Sequence, residues 1–153
     1  MATLKTKIFE EITLHGNTHR YKTEKNITSI TEIYHRITTI PAGIDTTIFS
    51  LHNTIATADD GTLDLDEVKY MRITNLGTTD VTLNLQIDEG EDATAADDNV
   101  QIALEAGKSF MLHQPHDGIT AAGGVASALK DLESIIVDSS SSAVTIEIFI
   151  GLT

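Results

Sequence analysis

Residues 81–88, VTLNLQID, and 144–151, VTIEIFIG, decide the fold class. Val81, Leu83, Leu85 and Ile87 alternate with Thr82, Asn84, Gln86 and Asp88. Val144, Ile146, Ile148 and Ile150 alternate with Thr145, Glu147 and Phe149. A period of two sends successive side chains to opposite faces of a strand, so each segment buries one face and wets the other. The same reading extends outward to strands at about 30–40, 46–51, 68–75, 100–104, 109–113 and 132–138. Turn residues separate them: Pro41-Ala42-Gly43, Leu76-Gly77-Thr78-Thr79, Glu105-Ala106-Gly107-Lys108 and the serine run 139–142. Eight to ten short strands at this spacing predict an all-β protein, an antiparallel sandwich of jelly-roll-like type with little helix beyond a possible turn near 126–130.

Composition points the same way. Thr (22 copies) and Ile (19) are the commonest residues, and both are β-branched and stiff at χ1. That argument decides 27–40, where Ile27, Ile30, Ile33, Ile37 and Ile40 recur at helix-like spacing. Ile and Thr are poor helix formers, and Pro41 holds Ile40 extended. A chain of 153 residues suggests one domain. Residues 27–153 form its sandwich, and residues 1–26 an N-terminal arm or an added edge segment.

The chain contains no cysteine, which excludes disulfides, thiolate metal sites and Cys nucleophiles. The first residues hold no continuous apolar run, so no secretory signal is expected. No stretch approaches the ~20 apolar residues of a membrane span. Charge is divided unevenly. Residues 1–58 carry six Lys/Arg against five Asp/Glu, and residues 59–153 carry four against eighteen. The acidic body repels phosphate backbones, which argues against nucleic acid as a partner. Lys5, Lys7, Arg20, Lys22 and Lys25 gather near the N-terminus, the part best suited to approach an acidic partner.

Motifs with chemistry in them are few. Gly107-Lys108-Ser109 resembles the end of a phosphate loop, but the earlier glycine is replaced by Ile102 and a strand follows. An EF-hand alignment on Asp60-Gly61 and Glu67 puts Ala56 and Ala58 where oxygen ligands belong. Looser acidic sets, Asp59, Asp60, Asp64 and Asp66 or Glu89, Glu91, Asp97 and Asp98, read as solvated loops. His15 and His19 flank a turn, and His113, His116 and Asp117 share one loop without a third ligand. No catalytic, cofactor or metal residue is assigned, and no cofactor is expected.

Three further segments carry a resemblance: VKYMRITNLGTTDVTLNLQID, IALEAGKSFMLHQ and LESIIVDSSSSAVTIEIFIG. Their order is similar to that of small β-sandwich virion proteins of tailed bacteriophages, above all the capsid decoration, or cement, proteins. The resemblance implies a non-enzymatic homo-oligomer, commonly a trimer. It implies the major capsid protein as partner, with no nucleic acid or membrane, and a place on the outer capsid surface. A tail, neck or fibre component with a carbohydrate-binding sandwich is the alternative, and would use Tyr21, Tyr34 and Tyr70. The expected contact residues are Lys5, Lys7, Ile8, Phe9, Arg20, Tyr21, Lys22 and Lys25.

Overall fold

The computed structural model describes residues 2–52, 61–88, 98–113, 115 and 130–153. Eleven strands run in the order β1 (Ala2–Leu14), β2 (Asn17–Ile30), β3 (Glu32–Ile40), β4 (Thr46–His52), β5 (Thr62–Asp64), β6 (Val68–Asn75), β7 (Val81–Asp88), β8 (Asp98–Leu104), β9 (Ser109–Leu112), β10 (Asp131–Asp138) and β11 (Val144–Leu152). The described residues contain no α-helix. One 3-10 turn, Leu65–Glu67, is capped by the Asp64 carboxylate, which accepts from the Asp66 amide at 3.0 Å. The expected turn near 126–130 lies outside the described residues except for Lys130.

Nine strands make a sandwich, within the expected range. One sheet has the order β5-β4-β10-β7-β8 and the other β3-β11-β6-β9. Without β5, the two four-stranded orders are those of a jelly roll, whose chain crosses repeatedly between layers. β5 is a short extra strand, parallel to β4 through Ser50–Thr62, Leu51–Leu63 and His52–Asp64. Its three residues lie inside the stretch expected to be an acidic loop.

The alternation read from sequence fills the space between the layers. Leu83 stands opposite Val137 and Ile102, and Leu85 opposite Ile135 and Val100. Ile148 faces Ile73 on β6. Leu83, Leu85, Leu104, Ile135, Val137, Ile146 and Ile148 are buried, while Ile102 and Phe110 are half-buried against them. The helix-like Ile spacing dissolves into two strands and two faces. Ile40 is buried inward, Ile33 and Ile37 point outward, and Ile30 closes β2.

Asn75 fastens one end of the sandwich. It is fully buried. Its Nδ2 donates to the carbonyls of Thr79 (2.9 Å) and Leu104 (3.1 Å), and its Oδ1 accepts from the Gly77 amide (2.9 Å). A Cβ at Gly77 would lie 2.8 Å from Val144 Cγ1, so the tight turn needs glycine for space. Buried polar groups without partners cost about 1–3 kcal/mol each. Asn75→Ala should therefore lower the unfolding free energy by about 3 kcal/mol in urea titrations, comparable to the ~2–5 kcal/mol expected of the cavity in Leu83→Ala. Losses no larger than those of an exposed substitution such as Thr39→Ala would contradict this core.

Candidate functional site

β1 and β2 belong to neither layer. They form a separate two-stranded antiparallel sheet, so residues 2–30 pair with themselves and add no strand to an edge of their own sandwich. The turn centres on His15 (φ 50°) and Gly16 (φ 82°). Positive φ at both central residues is the signature of the two-residue hairpin turn whose twist matches its strands. Pairing is regular from Leu14–Asn17 back to Leu4–Ile27. At ~3.4 Å per residue the 13 residues of β1 reach about 44 Å.

The register sorts the side chains into two faces. Leu4, Thr6, Ile8, Glu10, Ile12 and Leu14 share one face with His19, Tyr21, Thr23, Lys25 and Ile27. Lys5, Lys7, Phe9, Glu11 and Thr13 share the other with Thr18, Arg20, Lys22, Glu24 and Asn26. The ion pairs lie on this second face: Lys7–Glu24 at 3.6 Å, Lys22–Glu24 at 2.6 Å, and Arg20 with Glu11. The Lys22 hydrogen bond holds Glu24 below the usual carboxylate range. Desolvation works against that shift, and the charges of Lys7 and Lys5 add to it.

At its base the hairpin leans on the outer face of the β3-β11-β6-β9 sheet. A register shift between Ala2 and Leu4 and a positive φ at Ser29 (66°) turn the chain out of β2. The Thr31 amide then donates to the Leu152 carbonyl at 2.9 Å, which starts the pairing of β3 with β11. The hairpin base packs on β11 at Gly151. A Cβ there would come within 3.4 Å of Ile30 Cδ1 and 3.5 Å of Leu4 Cδ2. Beyond this point a groove of about 420 Å³ opens between β1 and the sheet, lined by Leu4, Thr6 and Ile8 above and Tyr70, Arg72, Met111 and Phe149 below. Burial pushes the Tyr70 hydroxyl up from its ordinary pKa, and the Arg72 charge offsets part of the rise.

The sheet beneath is a charged and aromatic surface. Glu147 accepts from Arg72 Nη2 at 2.8 Å and pairs with His35 Nε2 at 3.1 Å. Phe149 lies 5.9 Å from the Arg72 guanidinium, 6.0 Å from the His35 ring and 6.2 Å from Tyr70. Ile33 and Ile37, on the β3 side of this face, are 54% and 58% exposed.

Of the residues expected to make contacts, Lys5, Lys7, Phe9, Arg20 and Lys22 come together on the charged face of the hairpin. Ile8, Tyr21 and Lys25 fall on the other. All eight are exposed. Sequence reasoning missed Ile12 and Leu14, 59% and 53% exposed beside Tyr21 at 65%. Their signal was the even-numbered spacing Leu4, Ile8, Ile12, Leu14, visible once β1 is known to be one uninterrupted strand.

The remaining chemical candidates stay apart. Gly107-Lys108-Ser109 lies in a strand-to-strand turn, with Gly107 at φ 72° and Lys108 N donating to Glu105 O. Asp59, Asp60, Glu89, Glu91, Asp97, His116 and Asp117 lie outside the described residues. Among the described residues no three His, Asp or Glu side chains gather to hold a metal. The tyrosines of the carbohydrate reading form no common platform: Tyr70 is buried, Tyr34 sits on the inner side of β3, and Tyr21 lies out on the hairpin.

Comparison with family models finds no match, and comparison with curated proteins finds none either. Among solved structures the chain is similar to a subunit of the Bacillus endospore appendages, which form a family of disulfide-linked pili. The identity is 14% and the TM-score 0.34, over 86% of this chain and 100% of that one. A superposition at that level supports no argument about this chain.

Gly151 gives this arrangement a direct check. Gly151→Ala should be accepted, because its Cβ stays in ordinary contact. Gly151→Val should lift the hairpin base and speed proteolysis within residues 2–30, with the sandwich still folded by circular dichroism. Equal cleavage of both variants and the parent chain would contradict the seating of Leu4 and Ile30.

Proposed function

We propose that the chain is a non-enzymatic structural protein of a tailed-phage virion. It decorates the outer capsid surface as a homo-oligomer, with three copies the expected number, and binds the major capsid protein without a cofactor. The observation that carries this reading is the hairpin: residues 2–30 are devoted to a ribbon that extends the chain's reach and leaves most of its side chains in solvent. Fold alone does not imply function. The order of the strand segments supports the phage reading by resemblance, and the division of charge supports the use of the hairpin as an attachment arm.

In this role the sandwich is the rigid body and the hairpin is the clamp. Lys5, Lys7, Arg20 and Lys22 face one way from the ribbon, with Phe9 among them. Such a face suits an acidic surface with an apolar spot at its centre, the usual anatomy of a protein contact. Electrostatic attraction then speeds encounter and weakens with salt.

Binding to capsids stripped of the protein tests the proposal. The full chain should co-sediment with them. A chain lacking residues 2–26 should melt within a few degrees of the parent yet lose attachment. Reversing Lys5, Lys7, Arg20 and Lys22 to Glu should weaken attachment about tenfold at low salt, a change of roughly 1.4 kcal/mol. Failure of the full chain to bind such capsids would remove the decoration role. A large drop in melting temperature on deletion would make residues 2–26 part of the stabilising core and end the arm reading.

A further inference from the structure

The other face of the hairpin carries most of its exposed aliphatic side chains, Ile8, Ile12 and Leu14 with Tyr21, beside Glu10, His19 and Lys25. We propose that this face, through Ile8, Ile12, Leu14 and Tyr21, docks on a second copy of the chain, on the outer surface of its β3-β11-β6-β9 sheet over Ile33 and Ile37. The contact deepens the homo-oligomer reading above and does not depend on the capsid.

Four observations favour a second copy as the occupant. First, the base of the same face already rests on this kind of surface within one chain: Leu4 and Ile30 sit on the sheet at Gly151. Thr6 and Glu10 interrupt the apolar row, and beyond Ile8, which still borders the groove over the sheet, Ile12, Leu14 and Tyr21 stay exposed.

Second, the sheet offers a matching vacancy on its β3 side. Ile33 and Ile37 are more than half exposed there, and the hairpin of the same chain leans the other way, toward Tyr70 and Met111. Third, the lengths agree. Four residue steps separate Ile8 from Ile12 and Ile33 from Ile37, about 14 Å in each case.

Fourth, the charges agree. Residues 1–30 carry five Lys/Arg against three Glu, whereas residues 31–153 carry five against twenty Asp/Glu. A hairpin meeting another hairpin brings like net charge together. A hairpin meeting another body brings opposite charge together, which steers the encounter. The contact joins two different surfaces, so a ring closes when the rotation permits and a closed trimer is one such solution. The charged face of each hairpin stays free for a further partner.

The chain has no cysteine, so single-cysteine variants give a clean test. Ile12→Cys and Ile37→Cys are exposed substitutions that leave the sandwich core untouched. Mixed in equal amounts and treated with a short bismaleimide, they should yield a covalent pair containing one of each chain, at least tenfold above either variant alone. Ile12→Asp or Ile37→Asp should weaken self-association at least tenfold in sedimentation equilibrium, with unchanged circular dichroism.

Strong cross-linking of Ile12→Cys to itself would replace this contact by a hairpin-to-hairpin one. An intact oligomer with no mixed cross-link would overturn the contact and leave the oligomer reading standing. A parent chain that stays monomeric at every concentration would remove both, while capsid binding is measured separately.

Discussion

A strand has two faces, and each apolar face needs a layer to cover it. That constraint organises the whole molecule. In the sandwich it is met from both sides: Leu83, Leu85, Ile135 and Val137 from one sheet meet Ile73, Ile146, Ile148 and Ile150 from the other. The polar alternates, Thr82, Asn84, Thr145 and Glu147, then point outward. In the hairpin the apolar row is interrupted at Thr6 and Glu10, and it is the base that packs on the sheet, at Gly151. A two-stranded ribbon has no interior of its own and is marginal in water. The row Ile8, Ile12, Leu14 and Tyr21 stays 45–65% exposed.

Most of the sandwich was legible because its signals are local. Strict alternation in 81–88 and 144–151 fixes both strand type and buried face, and the turns at 76–79 and 105–108 end the strands where expected. β5 was hidden because three residues, Thr62–Asp64, are too few to show a period, and their pairing with β4 is set by the fold. β2 was hidden for a different reason. Residues 17–26 contain Tyr21 as their one large apolar side chain, and they are strand because β1 pairs with them residue by residue. Pairing partners are tertiary information that a single segment does not carry.

The candidate site divides in the same way. The basic cluster Lys5, Lys7, Arg20, Lys22 and Lys25 stood out by charge alone. Its separation into a charged face and an apolar one required the register, which moved Lys25 away from the others and joined Ile12 and Leu14 to Tyr21. The outward isoleucines of β3 were less legible still. Ile33 and Ile37 read only as part of a helix-like spacing of isoleucines, and the pairing of β3 with β11 is what turns them outward while Ile40 turns in. Reading apolar residues as buried is a one-way rule, and this chain departs from it where it has a surface to offer.

Hydrogen exchange of the backbone amides between Ile8 and Tyr21, followed as a function of protein concentration, addresses the central claim most directly. The account predicts fast exchange in dilute solution, where the distal ribbon has no covering layer, and growing protection as self-association covers its apolar face. Amides of β7 and β11 should remain protected throughout. Distal amides protected as strongly as those of β11 at the highest dilution, or exchanging at the same rate at every concentration, would contradict it.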